Sequence, residues 1–339
     1  MLIISNSLNN ISDEGCLKVA ASLVSRIKKA VPEALIVTYE RRSELSDMHF
    51  EINNKLMLSK ELFSLLRKHK EEIIYIPFPA RPFATALRIF ILSLYTRKKP
   101  KVISVMKYRM GLISKILLRA GGADFVVFSK EAEDFYDTIV GEKHVSYLKT
   151  GVDTQKFVPV SKEKKEALKE KYGFDARPVI LHVGHLNRGR NVAQLMKLDK
   201  KYQILLVTST LTKNEQDIEL KNELLKSPNI KIIDDYIPHI EEVYQLSDAY
   251  FFPVVEQGRC IDVPLSVMEA ASCNKPIITT DFGEMKQFRG KKDFYFIESF
   301  DENGLNVLAE KALACDDAET RSAVLDYDWK NAVSYLTKI

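Results

Sequence analysis

Short apolar runs of four to five residues, each followed by a longer stretch with helical spacing, recur along the whole chain. In the first half the runs are Leu2 to Ser5, Leu35 to Tyr39, Ile73 to Pro77, Val102 to Met106 and Phe125 to Phe128. Helical patterns lie between them, notably Glu14 to Ala30, Lys60 to His69, Phe83 to Tyr95 and Arg109 to Arg119. A second set of runs begins after Val160, at Val179 to Val183, Ile204 to Val207, Ile230 to Ile233, Ala249 to Pro253, Pro276 to Thr280 and Phe294 to Ile297. Strands this short and this apolar are buried on both faces, and regular alternation with helices implies parallel sheets covered on both sides. The expected fold class is α/β, built from two Rossmann-like, doubly wound domains.

The length of 339 residues also favours two domains over one. The boundary is expected at Lys149-Thr150-Gly151-Val152-Asp153, giving domains 1–150 and 151–325 and a last segment, 326–339. The net charge is +4, and the basic residues are spread out apart from Arg97-Lys98-Lys99 with Lys101. That balance suits an anionic small molecule or a lipid surface and argues against nucleic acid as a partner. Cys16, Cys260, Cys273 and Cys315 lie far apart, without C-x-x-C pairs or a histidine at ligand spacing, so neither a disulfide framework nor a metal site is expected. The opening MLIISNSLNN lacks a basic segment followed by an apolar one, and no run reaches the length of a membrane span. A cytoplasmic protein, at most peripheral at the inner face of a membrane, is the expectation; nothing in the sequence distinguishes a monomer from a homo-oligomer.

The densest local signal is Pro264 to Phe288. Pro264 suits a first helical turn, where its missing N–H is no loss, and Ala270, Ala271 and Ser272 let the helix pack close to a sheet. The same helix carries one carboxylate, Glu269. A turn at Asn274-Lys275-Pro276 leads to a β-branched run and then to Asp281-Phe282-Gly283, where glycine allows a close backbone approach. Upstream, Val179 to Val183 ends in Gly184-His185-Leu186-Asn187-Arg188-Gly189-Arg190-Asn191. A strand, a glycine and paired arginines ahead of a helical pattern suit a phosphate site on an open α/β sheet.

Pro-Leu-Ser-Val-Met-Glu-Ala-Ala followed by Asn-Lys-Pro-Ile-Ile-Thr-Thr-Asp resembles the donor-site signature of family 4 of the GT-B glycosyltransferases, retaining enzymes that use nucleotide sugars. The resemblance implies a GT-B fold, with two Rossmann-like domains facing a central cleft. The first would bind the acceptor and the second the donor. Glu269 would hold the ribose hydroxyls, as an ionised carboxylate suits two neighbouring donors. His185 and Arg190 fall where the family places its two diphosphate-binding cations, with Arg188 as an added charge. Gly184, Asp262, Leu265, Ser266, Gly283 and Glu284 would complete the donor site. The co-substrate would be a UDP-, GDP- or ADP-sugar, with no cofactor or metal required, and the acceptor a glycan or lipid-linked hydroxyl. Thr150 to Phe157 resembles the family's interdomain linker, and Asp326 to Leu336 its last helix, which crosses back to the first domain through Trp329.

Three places depart from the family's pattern. The glutamate expected eight residues before Glu269 is Ile261, with Asp262 and Glu256 nearby. The glycine-rich loop after the first strand keeps only Gly15, and Asp13 serves equally well as a helix cap. The family's histidine after the fourth strand is replaced by Lys107-Tyr108-Arg109, which would supply polar contacts on the acceptor side. The segment Arg81 to Lys101 reads either as a core helix or as an interfacial one that meets an anionic membrane. Rival functions are a nucleotide-sugar epimerase or phosphorylase on the same fold and a non-catalytic nucleotide- or glycan-binding subunit.

Overall fold

A computed structural model describes residues 1–8, 15–52, 59–77, 82–96, 98–105, 110–208, 216–315 and 317–338. The chain divides into two compact units, Met1–Thr150 with Trp329–Ile339, and Gly151–Asp328. Each has an all-parallel sheet with helices between its strands.

The first unit holds β1 (Leu2–Ser5), β2 (Leu35–Thr38), β3 (Met48–His49), β4 (Ile73–Ile76), β5 (Lys101–Ser104), β6 (Asp124–Val127) and β7 (Val145–Tyr147), in the order β3-β2-β1-β4-β5-β6-β7. All four residues of β1 and of β4 are buried, which explains why these strands read as unbroken apolar runs. The edge strands β3 and β7 are two and three residues long without a fully buried position, so no run marked them in the sequence. Local signals set the helix ends. Ser59 and Ser129 cap Lys60–Lys68 and Lys130–Val140 by accepting from Leu62 N and Ala132 N, and Gly122 ends Leu112–Gly121 at φ 61°. Helix Pro82–Tyr95 buries Thr85, Ala86, Ile89, Leu92 and Ser93, which makes it a core helix on that face. Helix Trp329–Thr337 packs against Gly15–Ala30, where the Arg26 guanidinium lies 6.0 Å from the Trp329 ring. No described helix is long and apolar enough to cross a membrane.

The second unit holds β8 (Val179–Val183), β9 (Gln203–Val207), β10 (Ile230–Ile233), β11 (Ala249–Phe252), β12 (Ile277–Thr279) and β13 (Phe294–Phe296), in the order β10-β9-β8-β11-β12-β13. Strand order therefore reverses between β8 and β11, which pair through Ala249 with Ile180 and Tyr250 with Leu181. On such a sheet, ligands bind beyond the carboxyl ends of the strands flanking the reversal. The segments at that place are 184–191 after β8 and 253–264 after β11. The Asn191 side-chain amide ties their roots together by donating to the Pro253 carbonyl at 3.2 Å.

Candidate functional site

The segment after β8 turns sharply. Asn187 accepts from Arg190 N at 3.0 Å and starts a single 3-10 turn, Arg188–Arg190, which ends at Asn191 in the left-handed region. The turn folds the Arg190 side chain back over Gly184, where a Cβ would lie 2.9 Å from Arg190 Nη1 and 3.2 Å from His182 Nε2. Gly184 is thus the space that the guanidinium occupies. Arg190 is only 8% exposed. Among the described residues its Nε has no hydrogen-bond partner and the side chain has no ion pair.

His182, in β8, is fully buried beside it. Its Nδ1 lies 2.8 Å from the Phe251 carbonyl, an acceptor only, so the proton sits on Nδ1 and Nε2 keeps its lone pair. That nitrogen has no partner among the described residues. Burial, with the Arg190 charge adding to it, pushes the His182 pKa down to about 4. The ring is therefore neutral at physiological pH.

Glu269 lies on helix Leu265–Ser272, which starts directly after Pro264. The residue is 2% exposed, and Tyr244 Oη donates to its Oε2 at 2.8 Å. Burial and the Glu269 charge raise the Tyr244 pKa well above its usual value, which keeps that donor protonated. Tyr250 links this helix to the strand end. Its hydroxyl bonds to Ser266 and to the Val183 main chain, at 3.2 Å to the carbonyl and 3.3 Å to the amide. The residues Gly184, Arg190, Ser266 and Glu269 are thus held around one strand end by β8, β11 and the helix between β11 and β12.

A second group forms around Gly283. Glu284 N donates to the Asp262 carbonyl at 2.8 Å, and a Cβ on Gly283, which has φ 53°, would collide with that same oxygen. Glycine is required here by both conformation and space. The Glu284 carboxylate is buried and accepts from Tyr327 Oη at 2.8 Å. Leu265 packs against the Gly151 backbone.

The family described as glycosyl transferases group 1 matches residues 177–314. The matched residues lie wholly within the second unit. Solved structures extend the likeness to both units. A glycosyltransferase from Rickettsia africae superposes with a TM-score of 0.79 at 15% identity, covering 99% of this chain and 97% of its own. HepE from Anabaena in complex with UDP-glucose gives 0.75 at 12% identity, covering 100% of this chain and 98% of its own. WaaG, a glycosyltransferase involved in lipopolysaccharide biosynthesis, gives 0.64 at 13% identity, with coverage of 100% and 96%. The fold is GT-B. No curated protein matches the chain in sequence.

Within the matched region, the structure separates residues that the sequence presents as equals. Arg188 leaves the turn in another direction from Arg190: it is 53% exposed and pairs with Asp217 at 3.2 Å and Glu223 at 3.0 Å. His185 stands on the loop beside Gly184, partly buried. Ile261 is buried, so the place of the family's first glutamate is apolar here. In the first unit, Gly15 opens helix Gly15–Ala30, while Asp13, Lys107, Tyr108 and Arg109 lie outside the described residues. His182 was missed, since a histidine in an apolar strand gives no sign that one ring nitrogen is left without a partner.

Proposed function

We propose that the protein transfers a sugar from a nucleoside diphosphate sugar to a hydroxyl of a glycan or lipid-linked acceptor, with retention at the anomeric carbon. The observation that carries this reading is Arg190, a buried guanidinium at the carboxyl end of β8 with no carboxylate paired to it among the described residues. A buried cation without a counter-ion is costly, and a diphosphate supplies both the charge and a bidentate acceptor. As the glycosidic C–O bond breaks, negative charge grows on the leaving phosphate oxygen. A fixed guanidinium in a water-poor site stabilises that charge without reorganising and leaves no need for a metal. Glu269, oriented by Tyr244, receives the ribose hydroxyls. The departing phosphate takes up the acceptor hydroxyl's proton on the face it leaves, which gives retention.

HepE binds UDP-glucose on the same fold, which makes a UDP-sugar the first donor to test. The test is thermal unfolding of the purified chain with UDP, GDP, ADP and their common sugars, beside Glu269→Ala. A ligand at a hundred times its Kd stabilises by about 2.7 kcal/mol, a rise in midpoint of roughly 2 °C or more for a chain of this size. One nucleotide should give that rise in the wild type and none in the variant. No rise with any nucleotide overturns the reading. Binding without sugar transfer would instead make the chain a nucleotide-binding subunit.

A further inference from the structure

A second guanidinium lies on the turn that positions Arg190. Arg259, in the loop after β11, rests on Gly189: a Cβ there would lie 2.5 Å from Arg259 Nε, 2.8 Å from its Cδ and 2.9 Å from its Cζ. The middle residue of the Arg188–Arg190 turn is thus covered by an arginine from the neighbouring loop, just as Gly184 is covered by Arg190. We propose that Arg259 is a second arginine of the diphosphate site, one that exchanges its present carboxylate partner for a donor phosphate. This rests on the reading above, in which the segment after β8 binds a nucleoside diphosphate.

Three observations support it. The two loops are joined at their roots by Asn191 and Pro253, so the approach of Arg259 to the turn is built into the fold. Its only ion-pair partner among the described residues is Glu256, at 3.1 Å, with the two side chains 50% and 54% exposed. An exposed pair of this kind contributes little, so a bidentate phosphate contact can replace it. Arg188, by contrast, is held by two carboxylates and reaches toward helix Ile218–Leu225. The turn thus has an arginine that the spacing of the motif does not reveal.

Gly189 supplies a test that leaves every charge in place. A methyl group there pushes the Arg259 side chain aside, a small cost because the displaced atoms belong to a flexible side chain. The experiment measures Kd for UDP, GDP and ADP on the full chain, for the wild type, Arg259→Ala, Gly189→Ala and the double variant, with unliganded melting points as a folding control. Arg259→Ala should weaken the best-bound nucleotide about tenfold. Gly189→Ala should weaken it in the wild type and cause no further loss once Arg259 is absent, the non-additivity expected of one shared contact. An Arg259→Ala effect within twofold, or a Gly189→Ala loss of equal size in both backgrounds, overturns the inference. Loss of binding in Arg190→Leu with no effect of Arg259→Ala sinks this inference alone; no nucleotide binding by the wild type sinks the donor-site reading with it.

Discussion

Each unit gathers polar side chains at the carboxyl edge of its sheet, where the strand order reverses, and the two gatherings differ in whether they satisfy themselves. In the first unit Asn6 follows β1, Tyr39 and Glu40 follow β2, Tyr75 belongs to β4, and Arg88 comes from helix Pro82–Tyr95. The Tyr39 hydroxyl donates to Asn6, which donates to Glu40 at 2.9 Å; the Tyr39 and Tyr75 hydroxyls are 2.9 Å apart. Arg88 bonds to Tyr75, lies 3.5 Å from Glu40 and stacks over the Tyr39 ring at 5.5 Å. Every charge in this group has an opposite charge or a dipole beside it. In the second unit Arg190 and His182 are buried, whereas Glu40 of the first group is 44% exposed, yet Arg190 Nε and His182 Nε2 lack partners among the described residues. A closed polar network serves folding, whereas an open one holds binding capacity in reserve at the expense of stability.

The comparison is broken or confirmed most directly by removing the two arginines. Arg190→Leu should raise the Kd of the bound nucleotide about a hundredfold while leaving the unliganded melting point unchanged or higher, because an apolar side chain replaces an unpaired buried charge. Arg88→Leu should do the reverse, lowering stability by about 1 to 3 kcal/mol through the polar groups it strands and leaving nucleotide affinity within twofold. Chemical denaturation and calorimetric titration on both variants decide the matter. A large loss of stability in Arg190→Leu would show that its partners are structural and would remove the contrast.

A smaller effect concerns His182. Its folded pKa of about 4 lies below the ordinary value of 6.5, so between those values the unfolded chain binds the proton more readily. The contribution is complete above pH 6.5 and is lost as the pH falls toward 4. Between pH 7 and pH 5 the wild type should lose about 2 kcal/mol from this group alone. His182→Asn should flatten the stability profile over that interval, and identical slopes in the two proteins would refute the assignment.

Much of this could be read from the sequence where burial and chemistry agree. The central strands of both sheets announced themselves because central parallel strands must be apolar throughout, whereas the short edge strands β3 and β7 did not, and Gly184 with Arg190 was marked by its position after a central strand. What stayed hidden depends on contacts between distant segments. Nothing in Glu256 to Cys260 shows that Arg259 will lie on Gly189, and nothing in Arg188-Gly189-Arg190 shows that one arginine turns inward while the other meets Asp217 and Glu223. Gly283 and Glu284 drew notice as neighbours. Folding gives them different tasks: Gly283 makes room for the Asp262 carbonyl, and Glu284 is buried against Tyr327.

The smallest expected effect tests that inward and outward division. Arg188 offers the same guanidinium as Arg190 two residues away, so any difference between them comes from placement. With its side chain 53% exposed and engaged by two carboxylates, Arg188 must give up both pairs before it can hold a phosphate. Exposed pairs contribute up to about 1 kcal/mol each, and screening by salt reduces that further, so Arg188→Ala should change nucleotide Kd and melting point by little. We expect less than a twofold change in Kd at moderate ionic strength. A tenfold loss would mean that Arg188 leaves Asp217 and Glu223 for the ligand, so that the two arginines act as a pair as their spacing suggests. In that event Asp217→Asn should tighten binding, because one competitor for the guanidinium would be gone.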